Sequence, residues 1–258
     1  MAFTKTELKL GSGNLPCYVG GTGEPVLFFH SAGGVRLSPA LETLSRSFKF
    51  YIPVLPGFDG TPRRDNIRTM SDLADLGAEI IDTEIKRPCD VIGHSFGGWT
   101  AAWLAARHPD KAALMVLCAA AGFRPEDVGG LPDDPAALRR GMYAHPENLP
   151  AEPDDPSRGA ANRAAAKHYN GGMATDRDLV GALDKITALT LILQGTKDGI
   201  IPVESARLLK SKIPHAFSVY LYDAAHALDV DQPERFADIV GDFLKRGEAF
   251  IVNRTSDA

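Results

Sequence analysis

The sequence predicts an α/β fold, a mostly parallel sheet with helices on both faces and a short inserted lid. Three observations predict it. Short apolar runs of strand length alternate with helical runs over most of the chain. One of them, Cys89-Asp90-Val91-Ile92, runs into Gly93-His94-Ser95-Phe96-Gly97 and then into a helical stretch through His108, which reads as strand, sharp turn and helix. Two later strands also end in polar loops that carry an aspartate and a histidine, and parallel sheets gather their ligand sites at such carboxyl ends.

Each element has its own justification. Residues 4–10 and 15–20 alternate in polarity around Gly11-Ser12-Gly13-Asn14 and predict an antiparallel hairpin. The continuous apolar run 25–30 is the kind of strand that is buried on both faces of a parallel sheet. A flexible turn, His30-Ser31-Ala32-Gly33-Gly34, leads to a helix around 38–47. The next strand, 48–55, is ended by Pro56-Gly57-Phe58-Asp59-Gly60. A helix then runs from Ser71, its expected N-cap, to about Arg87. At the Ser95 corner the two glycines are expected because the strand and helix backbones approach too closely for a Cβ. Ser95 is then strained, and it sits at a helix N-terminus that favours negative charge developing nearby.

The strand 112–119 follows, and from Phe123 to Gly181 the alternation stops. That segment contains Pro125, Pro132, Pro135, Pro146, Pro150, Pro153 and Pro156 together with alanine-rich patches. A disordered linker is one reading. The sparse apolar face of Leu138, Met142, Tyr143, Tyr169 and Met173 favours a partly helical lid, since long insertions in compact domains usually serve function. Strand 190–194, helix 203–213 and strand 217–222 restore the alternation. The last helix, from Pro233, carries Phe236, Ile239, Val240, Phe243 and Leu244 at helical spacing. The expected division is a core of 1–122 and 182–258 with the lid at 123–181.

A chain of 258 residues fits one sizeable domain with an insertion. A hydrophobic content of 44% and a charged content of 24% are those of a globular protein in water. The net charge of −5 gives no basic patch for nucleic acid. Cys17, Cys89 and Cys118 lie in apolar segments without metal-type spacing and read as buried thiols of a reducing compartment. The first residues lack the apolar core of a signal peptide, and no run of 18 apolar residues exists to span a membrane. The seven histidines form no ligand motif, so neither metal nor cofactor is expected. The expectation is a cytoplasmic monomer or homodimer that acts on a small-molecule substrate, with no nucleic-acid or membrane partner.

The loops that carry chemistry are the Ser95 turn, Gly195-Thr196-Lys197-Asp198-Gly199 and Asp223-Ala224-Ala225-His226-Ala227. In this order, Ser then Asp then His, the chain resembles the α/β-hydrolase fold enzymes over nearly all its length except the lid. The resemblance implies an eight-stranded sheet and a catalytic triad. A serine hydroxyl is a weak nucleophile at neutral pH and needs a base. His226 would take the Ser95 proton, and Asp198 would hold the tautomer and stabilise the imidazolium. Asp223, three residues before His226, is the rival acid, while Asp229 and Asp231 read as caps of the final helix. The implied oxyanion donors are the amides of Phe96 and Ala32. This chain has His30-Ser31 where the family usually has His-Gly, so Ser31 either restricts that loop or contacts the substrate.

His94 is expected to pack beneath the turn. Tyr143 and Tyr169 from the lid are expected to wall the substrate pocket, joined by Phe58 and by Trp99, for which core packing is the competing role. Changes in the lid are expected to tune substrate choice rather than the chemistry. A serine nucleophile sets the chain apart from the haloalkane dehalogenases and epoxide hydrolases of this fold, which use aspartate. Three readings follow. The first is a hydrolase of small carboxylic esters or related acyl bonds. The second is a carbon–carbon hydrolase of ring-cleavage products, which Ser95-Phe96-Gly97-Gly98 and His108-Pro109-Asp110 also resemble, although those enzymes usually have Asn at the position of His94. The third is a slow-turnover ligand receptor of the same fold.

Overall fold

A computed structural model describes residues 3–130, 134–149 and 155–251. Eight strands form one sheet: β1 (Thr4–Leu10), β2 (Gly13–Gly20), β3 (Glu24–Phe29), β4 (Phe48–Pro53), β5 (Cys89–His94), β6 (Ala112–Cys118), β7 (Leu189–Gly195) and β8 (Ala216–Leu221). Their spatial order is β1-β2-β4-β3-β5-β6-β7-β8. The predicted hairpin pairs β1 with β2, and β2 meets β4 antiparallel; every other neighbour is parallel. The α/β-hydrolase sheet expected from the resemblance is therefore present. Strands β3, β5 and β7 are buried along almost their whole length, as parallel strands covered on both faces must be.

Nine helices accompany the strands among the described residues: α1 (Pro39–Leu44), α2 (Met70–Ile80), α3 (Phe96–Arg107), α4 (Pro135–Met142), α5 (Pro156–Asn170), α6 (Arg177–Val180), α7 (Val203–Lys212), α8 (Leu228–Asp231) and α9 (Pro233–Arg246). Helix α3 is buried on nearly every side, and its alanines let it lie close to the sheet. Helix α9 is the opposite case, with the stripe of Phe236, Val240, Phe243 and Leu244 turned inward and packed on α1.

Three expected caps are corrected. Thr69, not Ser71, caps α2: its hydroxyl accepts the Asp72 amide, and the Asp72 carboxylate accepts the Thr69 amide in return. Ser71 falls inside the first turn. Gln232 precedes α9, so neither Asp229, which lies inside α8, nor Asp231, drawn elsewhere by three backbone amides, caps it. The segment expected to be a lid contains α4, α5 and α6, and its residues 131–133 and 150–154 lie outside the described residues. A bridge between Phe123 and Thr175 closes its base. All three cysteines are buried free thiols, and burial pushes Cys17 and Cys89 up to about 12 and Cys118 higher still. Among the described residues, no helix is long and apolar enough to cross a membrane.

Candidate active site

Ser95 links β5 to α3 at φ 55 and ψ −112, a conformation that is costly for any residue with a Cβ. The corner closes because of its glycines. A Cβ at Gly97 would lie 2.0 Å from the Phe29 carbonyl oxygen, and one at Gly93 would lie 2.2 Å from that of Gly97. The Ser95 amide donates to Cys118 O at 2.9 Å, and the Ser95 carbonyl accepts the amide of Ala121 at 3.0 Å. The strained residue is thus pinned from β6 as well. Ser95 is 8% exposed.

The other two strand-end loops converge on each other. His226, after β8, donates from Nδ1 to Asp198 Oδ2, after β7, at 3.1 Å; their side chains are 3% and 1% exposed. The Asp198 carboxylate has three further donors: Gln194 Nε2 at 2.8 Å on Oδ2, and the amides of Ile200 and Ile201 at 2.8 and 2.9 Å on Oδ1. The rival Asp223 is at the surface, paired with Lys197 and with His145 Nε2 at 2.9 Å. Among the described residues its carboxylate makes no hydrogen bond or ion pair with His226.

His94 joins the serine corner to the histidine loop. Its Nε2 donates to the His226 carbonyl at 2.8 Å, and the two rings lie 5.0 Å apart. Burial, reinforced by the neighbouring His226, lowers its pKa to about 4, so it is neutral at pH 7. It packs beneath the turn as expected and also anchors the backbone of His226. Among the described residues Ser95 Oγ forms no hydrogen bond within 3.5 Å. Bonds between nucleophile and base commonly tighten only when substrate is bound.

The segments that carry the expected oxyanion donors leave neighbouring strands. Phe29 pairs with Gly93 in the β3–β5 ladder, and Ala32 and Phe96 each come three residues later. The Phe96 amide opens a helix and is one of its orphan donors. Ser31 restricts the 30–34 loop: its hydroxyl accepts the Gly33 amide at 3.3 Å, and its carbonyl accepts Gly34 N at 3.0 Å. His30 braces the same loop, donating from Nδ1 to Ser31 O at 2.7 Å and accepting the Leu55 amide on Nε2 at 3.2 Å. Those two bonds require the neutral ring, and burial lowers its pKa accordingly.

The pocket candidates divide. Tyr169 is buried against Phe58 and Phe96, with ring centroids 6.5 Å away in each case, and its hydroxyl donates to Pro56 O at 2.8 Å. Tyr143 accepts Arg36 Nη2 on its hydroxyl at 3.1 Å, with the guanidinium 5.6 Å from its ring centre. Trp99 is corrected. It is packed in the core, and its indole donates to Asp176 Oδ2 at 2.8 Å, beside Trp103 at 2.7 Å. A buried indole N–H needs an acceptor, and the end of the lid provides it.

Sequence reasoning missed three carboxylates at the lid's attachments. Asp176 had a signal: Trp99 and Trp103 share one helix face, and both need a partner. Asp59 had none, because its partners are about a hundred residues away. Asp59 accepts Arg158 Nε at 2.8 Å and Asn162 Nδ2 at 2.9 Å from α5, and the Val35 amide at 2.8 Å. Burial alone would raise the Asp59 carboxyl, but those donors outweigh it and hold its pKa below the ordinary value. Asn162 also donates to Gly33 O at 2.9 Å, so α5 is fastened directly to the 30–34 loop. Asp231 is the third.

Comparison with known proteins gives a consistent picture. The family model described as "Alpha/beta hydrolase family" matches residues 26–239. A 2-hydroxymuconate semialdehyde hydrolase of Pseudomonas sp. (strain CF600) is 26% identical, covering 90% of this chain and 91% of that one. A pimeloyl-[acyl-carrier protein] methyl ester esterase of Aromatoleum aromaticum is 30% identical, covering 75% of this chain and 86% of the other. Among solved structures, a meta-cleavage product hydrolase of Pseudomonas fluorescens IP01 aligns with a TM-score of 0.75 at 20% identity, covering 93% and 97% of the two chains.

Proposed function

Because the chain belongs to the alpha/beta hydrolase family, we propose that it cleaves a small-molecule carboxylic ester or related acyl bond with Ser95, His226 and Asp198 as its triad. The observation that carries this reading is the buried hydrogen bond of 3.1 Å between His226 and Asp198, held beside the strained serine corner by His94. In this mechanism His226 Nε2 removes the Ser95 proton as Oγ attacks the carbonyl carbon. The amides of Ala32 and Phe96 stabilise the oxyanion. The imidazolium then protonates the leaving alcohol, and a water deprotonated by His226 releases the acid from the acyl-enzyme. Asp198, with two amides pinning Oδ1, keeps Oδ2 facing the imidazole.

A second reading, hydrolysis of a carbon–carbon bond, is favoured by the relatives named for semialdehyde and meta-cleavage product hydrolysis. The ester reading is favoured by the relative named as a methyl ester esterase and by the absence of an Asn before the nucleophile, where this chain has His94. A fluorophosphonate should label the wild type at one residue and leave Ser95→Ala unlabelled in intact-protein mass. Equal labelling of both proteins would remove Ser95 as the nucleophile. Steady release of p-nitrophenol from short esters after labelling-competent protein is added supports an esterase; a single stoichiometric burst that then stalls would instead support the slow-turnover receptor.

A further inference from the structure

The carboxylate of Asp231 is 2% exposed and lies five residues after His226. Its Oδ2 accepts the amides of Ala225 at 2.7 Å and Ala144 at 3.0 Å, and its Oδ1 accepts that of His145 at 2.9 Å. Ala225 immediately precedes the base, whereas Ala144 and His145 belong to the strap 141–145, made of the end of α4 and the residues after it. Backbone bonds join the same two segments. The Gly141 carbonyl accepts the amide of His226 at 3.2 Å and that of Gly199 at 3.2 Å, and the Met142 carbonyl accepts the amide of Ala227 at 3.0 Å. One carbonyl of the lid therefore holds both the base and the residue after the acid. Those two residues come from different strand ends, so their separation depends on what bridges them. Charge-assisted bonds to a buried carboxylate are among the strongest bridges available.

We propose that Asp231 is a positioning residue: it fastens the strap 141–145 to the His226 loop, so that the lid sets the geometry between His226 and Asp198. This rests on the triad reading given above. The lid then acts on the chemistry as well as on substrate choice. If the strap lifts, the Gly141 carbonyl leaves both loops at once and the hydrogen bond between acid and base loosens.

Two small substitutions test this without a common weakness. In Asp231→Asn only one side of the group keeps an oxygen, so its amine must face a backbone N–H. In Gly141→Ala the new Cβ stands 2.9 Å from Gly199 Cα and pushes the strap off the acid loop without touching Asp231. Circular dichroism checks folding, and the readouts are kcat and KM for p-nitrophenyl acetate and the rate of labelling by a small fluorophosphonate. Both variants should label up to about 10²-fold more slowly and lose kcat with little change in KM, since displacements of about 1 Å cost that much. In an Asp198→Asn background, Asp231→Asn should slow labelling no further, because it acts through an acid–base arrangement that Asp198→Asn has already disabled. Wild-type labelling by either folded variant overturns the proposal, as does an equal slowing by Asp231→Asn in both backgrounds. Should Asp231→Asn not fold, Gly141→Ala alone decides by the same criteria. Labelling that persists in Ser95→Ala removes the triad reading itself, a result distinct from Ser95-dependent labelling that neither variant slows.

Discussion

At the scale of the residue, Asp198 is defined by which of its oxygens faces which donors. The amides of Ile200 and Ile201 hold Oδ1, and His226 and Gln194 hold Oδ2. In Asp198→Asn the two amides keep the carboxamide oxygen, so its amine is turned to His226 Nδ1. The imidazole must then accept there and carry its proton on Nε2, the wrong tautomer for a base. A fall in kcat of up to about 10⁴ is expected with the fold intact. Asp223→Asn should do far less, because it breaks only the surface contacts to Lys197 and His145. Steady-state kinetics of the two variants check this, and the reverse ranking would move the acid to Asp223.

At the scale of the element, helix α5 matters for what it holds down. Asn162 is fully buried, donates to Asp59 and Gly33, and accepts the Asp59 amide at 2.8 Å. Asn162→Leu keeps the helix and the approximate volume but leaves those groups bare. The expected loss of stability is about 1–3 kcal/mol for each group that water cannot reach. Urea denaturation measures it, and a variant as stable as the wild type would mean that the α5 contact contributes nothing. Three aspartates that each accept several donors, Asp59, Asp176 and Asp231, help tie the inserted segment to the core. This is why a lid with few apolar residues can pack: oriented polar contacts do what a small apolar face cannot.

For the whole molecule, two buried groups pull stability in opposite directions with pH. Burial raises the Asp90 pKa to about 7 from 3.8, so the unfolded state ionises first and the fold loses stability as pH rises between those values. His94 titrates at about 4 in the fold against 6.5 unfolded, so its contribution is fully present above 6.5 and is lost as pH falls toward 4. The two largely offset each other between pH 4 and 6.5. Asp90→Asn should therefore stabilise the protein by at most about 4 kcal/mol at pH 8, with no gain below pH 3.8. It should also uncover a fall of about 3 kcal/mol between pH 7 and 4 from His94. Denaturant titrations at stepped pH check both, and equal stability of the two proteins at pH 8 would show that Asp90 is not held neutral by burial.

The sequence by itself determined the strand and helix order, the glycine-flanked corner at Ser95 and the strand ends that bear Asp198 and His226. Those features are local: strand burial, helix periodicity and the close approach at Gly93 and Gly97 leave their marks within a dozen residues. Only the tertiary structure decided that Asp176 receives both tryptophan indoles, that Asp59 holds helix α5, and that Asp231 binds the segment after α4 instead of capping the final helix. Each of these depends on partners far away in the chain. Single-residue patterns carry the period of an element, but not the position of a partner a hundred residues distant.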